Sequence, residues 1–308
     1  MKKIFIYLFS IIFLFSTQLN AIERKKLTDT EWKEKIYSLN WYNEDGKNTS
    51  IKIPGSNANL KIYSSEMYLL GQDIDQYDWW AYGKAVNEGS DAIRVFGSDY
   101  TYTIDKPKND GYVKIDDWSN VSPEELIQGL RNANKDKGDG LSYAKQIDWI
   151  YKPSLDKEKN LVTYSYKVIW NNDATSMESK NIILGREGHI DQTFVFDDLS
   201  NTRENADFAK SASLDTSFNE GYTYKDYKSG DKIAAAGIGA LVATSLGVKA
   251  LKSGGGAAAA GGILLLLKKF WWILLAPLAF LGKLFGGGDN ELSNNTPKPK
   301  RRAKKKID

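Results

Sequence analysis

Leu161-Val-Thr-Tyr-Ser-Tyr-Lys-Val-Ile-Trp170 is the stretch that decides the fold, because its side chains alternate between two kinds of surface. The apolar and aromatic residues that share one side of the extended chain are Val162, Tyr164, Tyr166, Val168 and Trp170. The polar residues on the opposite side are Thr163, Ser165 and Lys167. A period of two residues predicts a β-strand, and its polar side predicts a sheet with one face in water.

Other apolar or β-branched runs, bounded by turn residues, predict further strands. The run Ala144–Tyr151 lies just before the first strand, across a mostly polar connection, so the two predict an antiparallel hairpin. The remaining predicted strands are Ile51–Ile53, Leu60–Tyr63, Tyr68–Leu70, Trp79–Val86, Ala92–Phe96, Tyr100–Ile104, Gly111–Ile115, Asn181–Leu184 and Thr193–Phe196.

Three segments carry helix signals. Thr28-Asp-Thr-Glu31 is a capping box and predicts a helix over about Asp29–Ser38. Ser122-Pro-Glu-Glu125 combines an N-cap, a proline at the first helical position and a glutamate at the third. Asn201–Ala212 has Asn201 as its cap. Because strands and helices do not alternate regularly, the fold class is α+β, with a largely antiparallel sheet and a few helices.

The N-terminus has the pattern of a secretory signal peptide. Lys2 and Lys3 precede the apolar run Ile4–Phe15, and Ala21 is a plausible cleavage point, so residues 1–21 are predicted to be the signal. The alternative is an uncleaved anchor. Either version sends the following residues across the membrane, so Ile22–Lys232 is predicted to be an exported soluble domain, with one subdomain or two.

The C-terminal region, residues 233–285, is largely apolar and is predicted to be a membrane anchor. A transmembrane helix needs about 20 residues, and two segments approach that length. We favour one crossing at Ile233–Leu251, which would place Trp271 and Trp272 at headgroup depth on the inner face. The alternative is a single span at Gly261–Leu281, which would bury Lys268 and Lys269 in the bilayer.

Residues 286–308 form a basic tail. Its basic residues include Lys300, Arg301, Arg302, Lys304, Lys305 and Lys306. Positive charge beside a span favours the cytoplasmic side and attracts anionic lipid. These features predict a protein of the bacterial inner membrane whose soluble domain lies in the periplasm and whose tail is cytoplasmic.

Composition limits the possible chemistry. There is no cysteine and one histidine, His189, which excludes thiolate sites and histidine-rich zinc sites, so we expect no metal and no cofactor. Ile22–Lys232 contains 28 basic and 36 acidic residues, a net charge of −8. An acidic domain repels phosphate backbones, so no nucleic-acid partner is expected.

The order of segments resembles the bacterial membrane-anchored family known as domain of unknown function 2167. The resemblance covers roughly Glu31–Phe285, and two motifs carry it most specifically: Leu184-Gly-Arg-Glu-Gly188, and Tyr222–Val242. The chain departs from the family at the glycine-rich break Gly254–Gly256 and in its long basic tail. The resemblance implies an exported, membrane-tethered domain, but it carries over no established activity.

The turn Leu184-Gly-Arg-Glu-Gly-His189 contains the candidate site residues. Glu187 and His189 are the weak catalytic candidates, and Arg186 is a weak candidate for binding an anionic group. The alternative is a β-turn in which Gly185 and Gly188 supply positive φ angles and the charges are solvated.

Other clusters have simpler interpretations. The aspartates at 73, 75 and 78 lack the spacing of a calcium loop, so a solvated acidic loop is favoured. Asp116 and Asp117 are expected to lie in the turn before Ser122. Five tryptophans have two interpretations, a sugar-stacking platform or, as their alternating positions favour, a core: Trp79, Trp80, Trp118, Trp149 and Trp170.

The sequence contains no nucleotide-binding, metal-binding or nucleophile motif. The favoured hypothesis is a non-catalytic, membrane-tethered periplasmic module for interaction or envelope maintenance, with inner-membrane lipid and an envelope protein as partners. The alternative is a carboxylate-dependent hydrolase acting on envelope material. Whether the protein is an enzyme is uncertain, and the sequence favours that it is not.

Overall fold

The computed structural model describes residues 28–82, 89–136 and 143–248. The predicted signal peptide, the alternative span Gly261–Leu281, Leu251, Trp271, Trp272 and the basic tail lie outside these residues. Within the described part, no helix is long and apolar enough to cross a membrane.

Ten strands lie in the described part: β1 (Thr49–Lys52), β2 (Ala58–Ile62), β3 (Met67–Leu70), β4 (Asp91–Phe96), β5 (Tyr100–Asp105), β6 (Ala144–Asp156), β7 (Leu161–Trp170), β8 (Thr175–Leu184), β9 (His189–Phe196) and β10 (Thr216–Phe218). The α-helices there are α1 (Asp29–Tyr37), α2 (Gln72–Tyr82), α3 (Pro123–Ala133), α4 (Thr202–Ala212) and α5 (Ile238–Ser245). The predicted α+β class, with antiparallel sheets and few helices, is confirmed.

Seven strands form one antiparallel sheet in the order β3-β4-β5-β9-β8-β7-β6, and three form a second in the order β1-β2-β10. In the large sheet, β6 to β9 are consecutive antiparallel neighbours, as are β3 to β5. The two groups join where β5 pairs with β9. The connection from β5 to β6 therefore crosses from the middle of the sheet to its edge, and it carries α3.

Both faces of the large sheet are covered. One face packs on β2 and α4 through a core that includes Ile62, Phe194 and Ala209. The opposite face carries two separate apolar clusters: α1 and α2 cover β3 and β4, whereas α3 and α5 cover β6 to β8.

This double coverage overturns the prediction of a sheet with one face in water. Every residue of β9 is buried, and so is every residue of β8 from Met177 onward. On the supposedly polar side of β7, Ser165 is buried and its hydroxyl lies 2.7 Å from that of Ser179 on β8. The polar side chains here are satisfied by one another beneath α4, which the alternation of β7 alone does not reveal.

Two predicted strands are wrong. The sequence predicts an extended Trp79–Val86, but residues 79–82 belong to α2, and the rest of that predicted strand lies outside the described residues. The aspartates of α2 at 73 and 75 lie in the first helical turn, where a carboxylate is favoured by the helix dipole, and Ile74 and Tyr77 face the core three residues apart. Gly111–Ile115 contributes only a single parallel β-bridge, between Tyr112 and Ile233.

The segment expected to begin the membrane anchor is part of the core instead. Residues 221–237, which we call the strap, lie along the domain and lead into α5. The side chains of α5 and of its C-cap that are buried in the same cluster as α3 and β7 are Ile238, Val242, Ala243 and Leu246. Ser245 lies 2.8 Å from the hydroxyl of Tyr164 on β7. The predicted boundary at Lys232 therefore falls inside the folded domain.

Both ends of α5 are capped, which explains why this apolar segment does not continue as a long helix. At its start, the Asp117 carboxylate accepts hydrogen bonds from the backbone N–H groups of Ile238 and Gly239, at 3.1 and 3.2 Å. At its end, Gly247 has φ of +69°, and Gly247 and Val248 donate to Thr244 and Ala243 in a Schellman motif. Residues 233–248 of the predicted crossing Ile233–Leu251 thus hold a capped helix that packs in the core, and the crossing itself stays a prediction.

Candidate functional site

The turn between β8 and β9 contains the predicted site residues, and its glycines are required for close packing. Neither Gly185 nor Gly188 has a positive φ, contrary to the expectation from sequence. A Cβ at Gly188 would instead overlap the backbone carbonyl oxygen of Lys108, and a Cβ at Gly185 would overlap the ring of Phe218. The turn is thus pressed against the segment before α3 and against β10.

Arg186 is engaged by the strap. Its Nε and Nη2 atoms each donate to an Asp231 carboxylate oxygen at 2.7 Å, and Nη1 donates to the carbonyl of Gly221 at 3.1 Å. These hydrogen bonds hold the pKa of Asp231 at about 2, below its ordinary value of 3.8. Lys228 N–H also donates to Asp231. Arg186 therefore fastens the strap to the sheet, which leaves less of its guanidinium for an external anion.

We expect Asp231→Asn to destabilise the domain at neutral pH but not in strong acid. Because the folded-state pKa is depressed, the stabilising effect of the carboxylate is fully present above about pH 4 and is lost as the pH falls toward 2. Urea unfolding midpoints at pH 7, 4 and 2.5 measure this: the wild type should lose its advantage over the variant across that range. The exposed Glu220→Gln serves as control, and a pH-independent deficit for Asp231→Asn would contradict the assignment.

The other two predicted residues of the turn lie in different environments. Glu187 is exposed, and its backbone carbonyl accepts a hydrogen bond from Gly111 at 3.0 Å. His189 is buried, and burial lowers its pKa below the usual value of 6.5. Among the described residues, neither ring nitrogen of His189 has a hydrogen-bond partner, and Nε2 lies 3.9 Å from Asp191. The structure does not bring Arg186, Glu187 and His189 together into one cleft.

A buried polar row crosses the middle of the large sheet between its two apolar clusters. Strand register aligns the row from β4 to β7, and its members are Arg94, Thr103, Thr193, Lys180 and Tyr164. Arg94, Thr193 and Lys180 are at most 3% exposed. Perturbed, buried titratable groups of this kind mark candidate functional sites, although structural ion-pair networks have the same signature.

Lys180 remains charged within this row. Burial alone would lower its pKa, but attraction to Asp191, Asp105 and Glu178 outweighs burial and raises it. Its Nζ atom lies 3.5 Å from an Asp191 oxygen. On the neighbouring strand, burial and the nearby Glu178 carboxylate raise the pKa of Tyr166 well above its ordinary value. The row therefore holds the charged groups of Arg94 and Lys180 in a low-dielectric interior.

Arg94 is paired with two carboxylates, one of which, Asp78, the sequence predicted to lie in a solvated loop. It contacts Asp78 through two nitrogens, and Nη2 lies 2.8 Å from Asp91. All three side chains are almost completely buried, and burial raises the pKa of Asp78 although Arg94 opposes the rise. The prediction that Asp78 lies in a solvated loop is wrong. The i, i+3 spacing of Ile74, Tyr77 and Trp80 along α2 was the signal that could have placed it on a buried helix face.

The remaining candidates have structural positions. Asp116 and Asp117 begin a short 3-10 helix before α3, and Asp117 caps α5. Four of the tryptophans are divided between two clusters: Trp118, Trp149 and Trp170 pack with α3 and α5, whereas Trp80 lies on α2 and packs in the cluster that includes Ile36 of α1. They do not share one sugar-stacking surface. Across the described ranges, no group of three or more histidine, aspartate or glutamate side chains is placed to hold a metal ion.

Comparison with known proteins identifies a family. The family model described as "Protein of unknown function (DUF2167)" matches residues 45–279. The match begins after α1 and extends beyond Val248 into the second apolar segment of the C-terminal region. No curated protein and no solved structure is similar enough to match the chain.

Proposed function

This chain belongs to the DUF2167 family, and we propose that it is an exported, membrane-proximal module that positions an interaction surface of the bacterial envelope. The proposal treats the protein as a non-catalytic scaffold. Inner-membrane lipid and an envelope protein are its proposed partners. The apolar residues after Val248 provide the proposed membrane anchor, and the tail is proposed to be cytoplasmic.

The observation that carries this proposal is the integration of the strap and α5 into the domain. Thr223 pairs with Gly185, Asp231 with Arg186, and Ile233 with Tyr112, before α5 enters the core under the Asp117 cap. A domain on a flexible stalk does not need these contacts. They give the part of the chain nearest the anchor a fixed orientation, which supports a role in presenting one surface.

The distance between domain and anchor is short. Residues 249–256 separate Val248 from the apolar run that begins at Ala257. Eight residues reach roughly 28 Å when fully extended. The family match continues to residue 279, which supports the view that domain and apolar run belong to one unit. A module held this close to a bilayer is suited to partners that are themselves in or on the membrane.

Single-cysteine labelling tests the proposed topology cleanly, because the chain contains no cysteine. Two variants each introduce one cysteine: Ser50→Cys at an exposed position of β1, and Lys305→Cys in the tail. We expect a membrane-impermeant maleimide to label the thiol introduced at position 50 in spheroplasts, and to reach the thiol introduced at position 305 only after permeabilisation. Labelling of both positions in intact spheroplasts, or of neither, would reject this arrangement.

Crosslinking in cells, followed by mass spectrometry, tests the interaction role. The tagged full chain should recover an envelope partner reproducibly, and deletion of residues 28–248 should lose it while the rest of the chain is retained. Recovery of the protein alone would argue against an interaction module.

We expect Glu187→Gln to leave partner recovery unchanged and to shift stability by no more than about 0.5 kcal/mol, because the side chain is exposed. The hydrolase hypothesis makes the opposite prediction. If the purified protein releases fragments from isolated envelope material, and Glu187→Gln abolishes that release while urea unfolding stays unchanged, the non-catalytic proposal is wrong. The neighbouring exposed Glu220→Gln is the matched control.

A further inference from the structure

The strap presents an exposed apolar patch on its outer side. Tyr227 and Ile233 are 37% and 42% exposed, although the rest of the strap is fastened to the domain. Both contact the same residue: the Tyr227 ring lies 4.3 Å from that of Tyr112, and Ile233 forms a β-bridge with Tyr112. The patch is therefore continuous. Tyr224, by contrast, is buried with its hydroxyl bound to the Val113 carbonyl at 2.7 Å.

Positive charge surrounds this patch. Lys225, Lys228 and Lys232 are all exposed. Of the two strap carboxylates, Asp231 is paired with the Arg186 guanidinium, whereas Asp226 accepts hydrogen bonds from the neutral backbone N–H and hydroxyl of Thr223 and keeps its negative charge, so three strap lysines stand against one uncompensated carboxylate. The outward charge of the strap is consequently positive, in a domain region whose net charge is −8.

The neighbouring segments do not cancel this charge. The exposed carboxylates on the segments beside the strap are those of Asp110, Asp116, Glu187 and Glu220. The exposed lysines on the same segments are Lys106, Lys108 and Lys114. With the three strap lysines and the Asp226 carboxylate included, six lysines stand against five carboxylates, so the net positive charge of this side comes from the strap itself.

We propose that this surface docks on the anionic phospholipid headgroups of the membrane that holds the anchor. Tyrosine and lysine suit the headgroup region, because each has an apolar body and a polar end. A lysine near an anionic surface favours binding by about a factor of five. The inference rests on the proposed tether, which keeps the strap near the bilayer and makes docking intramolecular.

Depth-dependent quenching in nanodiscs tests the docking with the full chain. Ser229→Cys, on the exposed part of the strap, carries an environment-sensitive fluorophore, and the nanodiscs contain a lipid with a nitroxide on its headgroup. Ser50→Cys on β1 carries the same fluorophore as control. A second protein combines Ser229→Cys with Lys225→Gln, Lys228→Gln and Lys232→Gln.

In discs containing about one-third phosphatidylglycerol, we expect position 229 to be quenched at least about threefold more than position 50. In phosphatidylcholine discs, or with the three glutamines, the ratio should approach one. Equal quenching of both positions, with the protein retained in discs, overturns the docking and leaves the tether standing. Strong quenching at position 229 that depends neither on the charge of the lipid nor on the three lysine-to-glutamine substitutions overturns the assignment to anionic headgroups in favour of another contact. A protein that does not enter discs overturns the tether and the docking with it.

Discussion

A chain that ends at Lys232 will fail to fold, whereas one that runs from Ile22 to Lys252 will give a soluble, cooperatively unfolding domain. The shorter chain lacks α5 and its C-cap, whose four core side chains are at most 4% exposed. Burial of each large aliphatic side chain contributes about 1.5–3 kcal/mol, so their combined loss is comparable to the whole stability of an ordinary domain. Near-UV circular dichroism and urea unfolding of the two chains measure the difference.

A pair of substitutions in the longer chain separates a core helix from a membrane segment. Val242 is completely buried and Thr244 is exposed on the same helix. We expect Val242→Asp to prevent folding and Thr244→Asp to cost less than about 1 kcal/mol. Equal tolerance of the two aspartates, or a soluble folded chain ending at Lys232, would refute the placement of α5.

Replacing Arg94 with methionine should cost about 3–5 kcal/mol, because it leaves Asp78 and Asp91 buried without their guanidinium partner. The deficit should shrink as the pH is lowered. Burial raises the folded-state pKa of Asp78, and removal of the Arg94 cation raises it further. As the pH falls, Asp78 therefore takes up a proton in the folded variant before it does so in the unfolded chain. This protonation removes the buried charge and stabilises the folded state of the variant. Urea unfolding of the Ile22–Lys252 chain at several pH values tests both statements.

Two further variants isolate the cause. Arg131 pairs with Asp148 at the surface, where both side chains are more than 40% exposed, so Arg131→Met should cost no more than about 1 kcal/mol. Combining Arg94→Met with Asp78→Asn and Asp91→Asn should recover part of the loss, because it removes the stranded charges. If the triple variant is less stable than Arg94→Met alone, packing of the arginine stem is responsible instead.

Local signals explain what the sequence could predict. The capping box at Thr28, the Ser122 cap and the Asn201 cap all begin helices where expected, because a cap is a contact within four residues. β7 is predicted to the residue, because alternation over ten positions leaves little freedom of register. In α2, by contrast, aromatic content indicates a strand, although the apolar positions follow the helical spacing.

The candidate site depends on contacts that the sequence does not display. Arg186 and Asp231 are 45 residues apart, and Asp117 is 121 residues from the amide that it caps. Likewise, the polar row is formed by the register of five neighbouring strands, β4, β5, β9, β8 and β7, so the sequence of no single strand predicts it. One local signal was available and overlooked: Gly247 directly follows an apolar run and marks its end as a helix C-cap.

In the proposed topology, the two caps of α5 also bear on which side of the membrane the chain finishes. Hydropathy alone offers two C-terminal segments that could cross the membrane, Ile233–Leu251 and Gly261–Leu281. Each crossing moves the chain to the opposite side of the membrane. Two crossings would therefore place the basic tail on the same side as the domain. With α5 stopped at Gly247 and kept in the core, only one of these candidates remains. The number of crossings would then be one, an odd number, which is what the proposed cytoplasmic tail requires. The Asp117 carboxylate and Gly247, which cap α5 in the folded domain, would thus help to determine on which side of the membrane the tail lies.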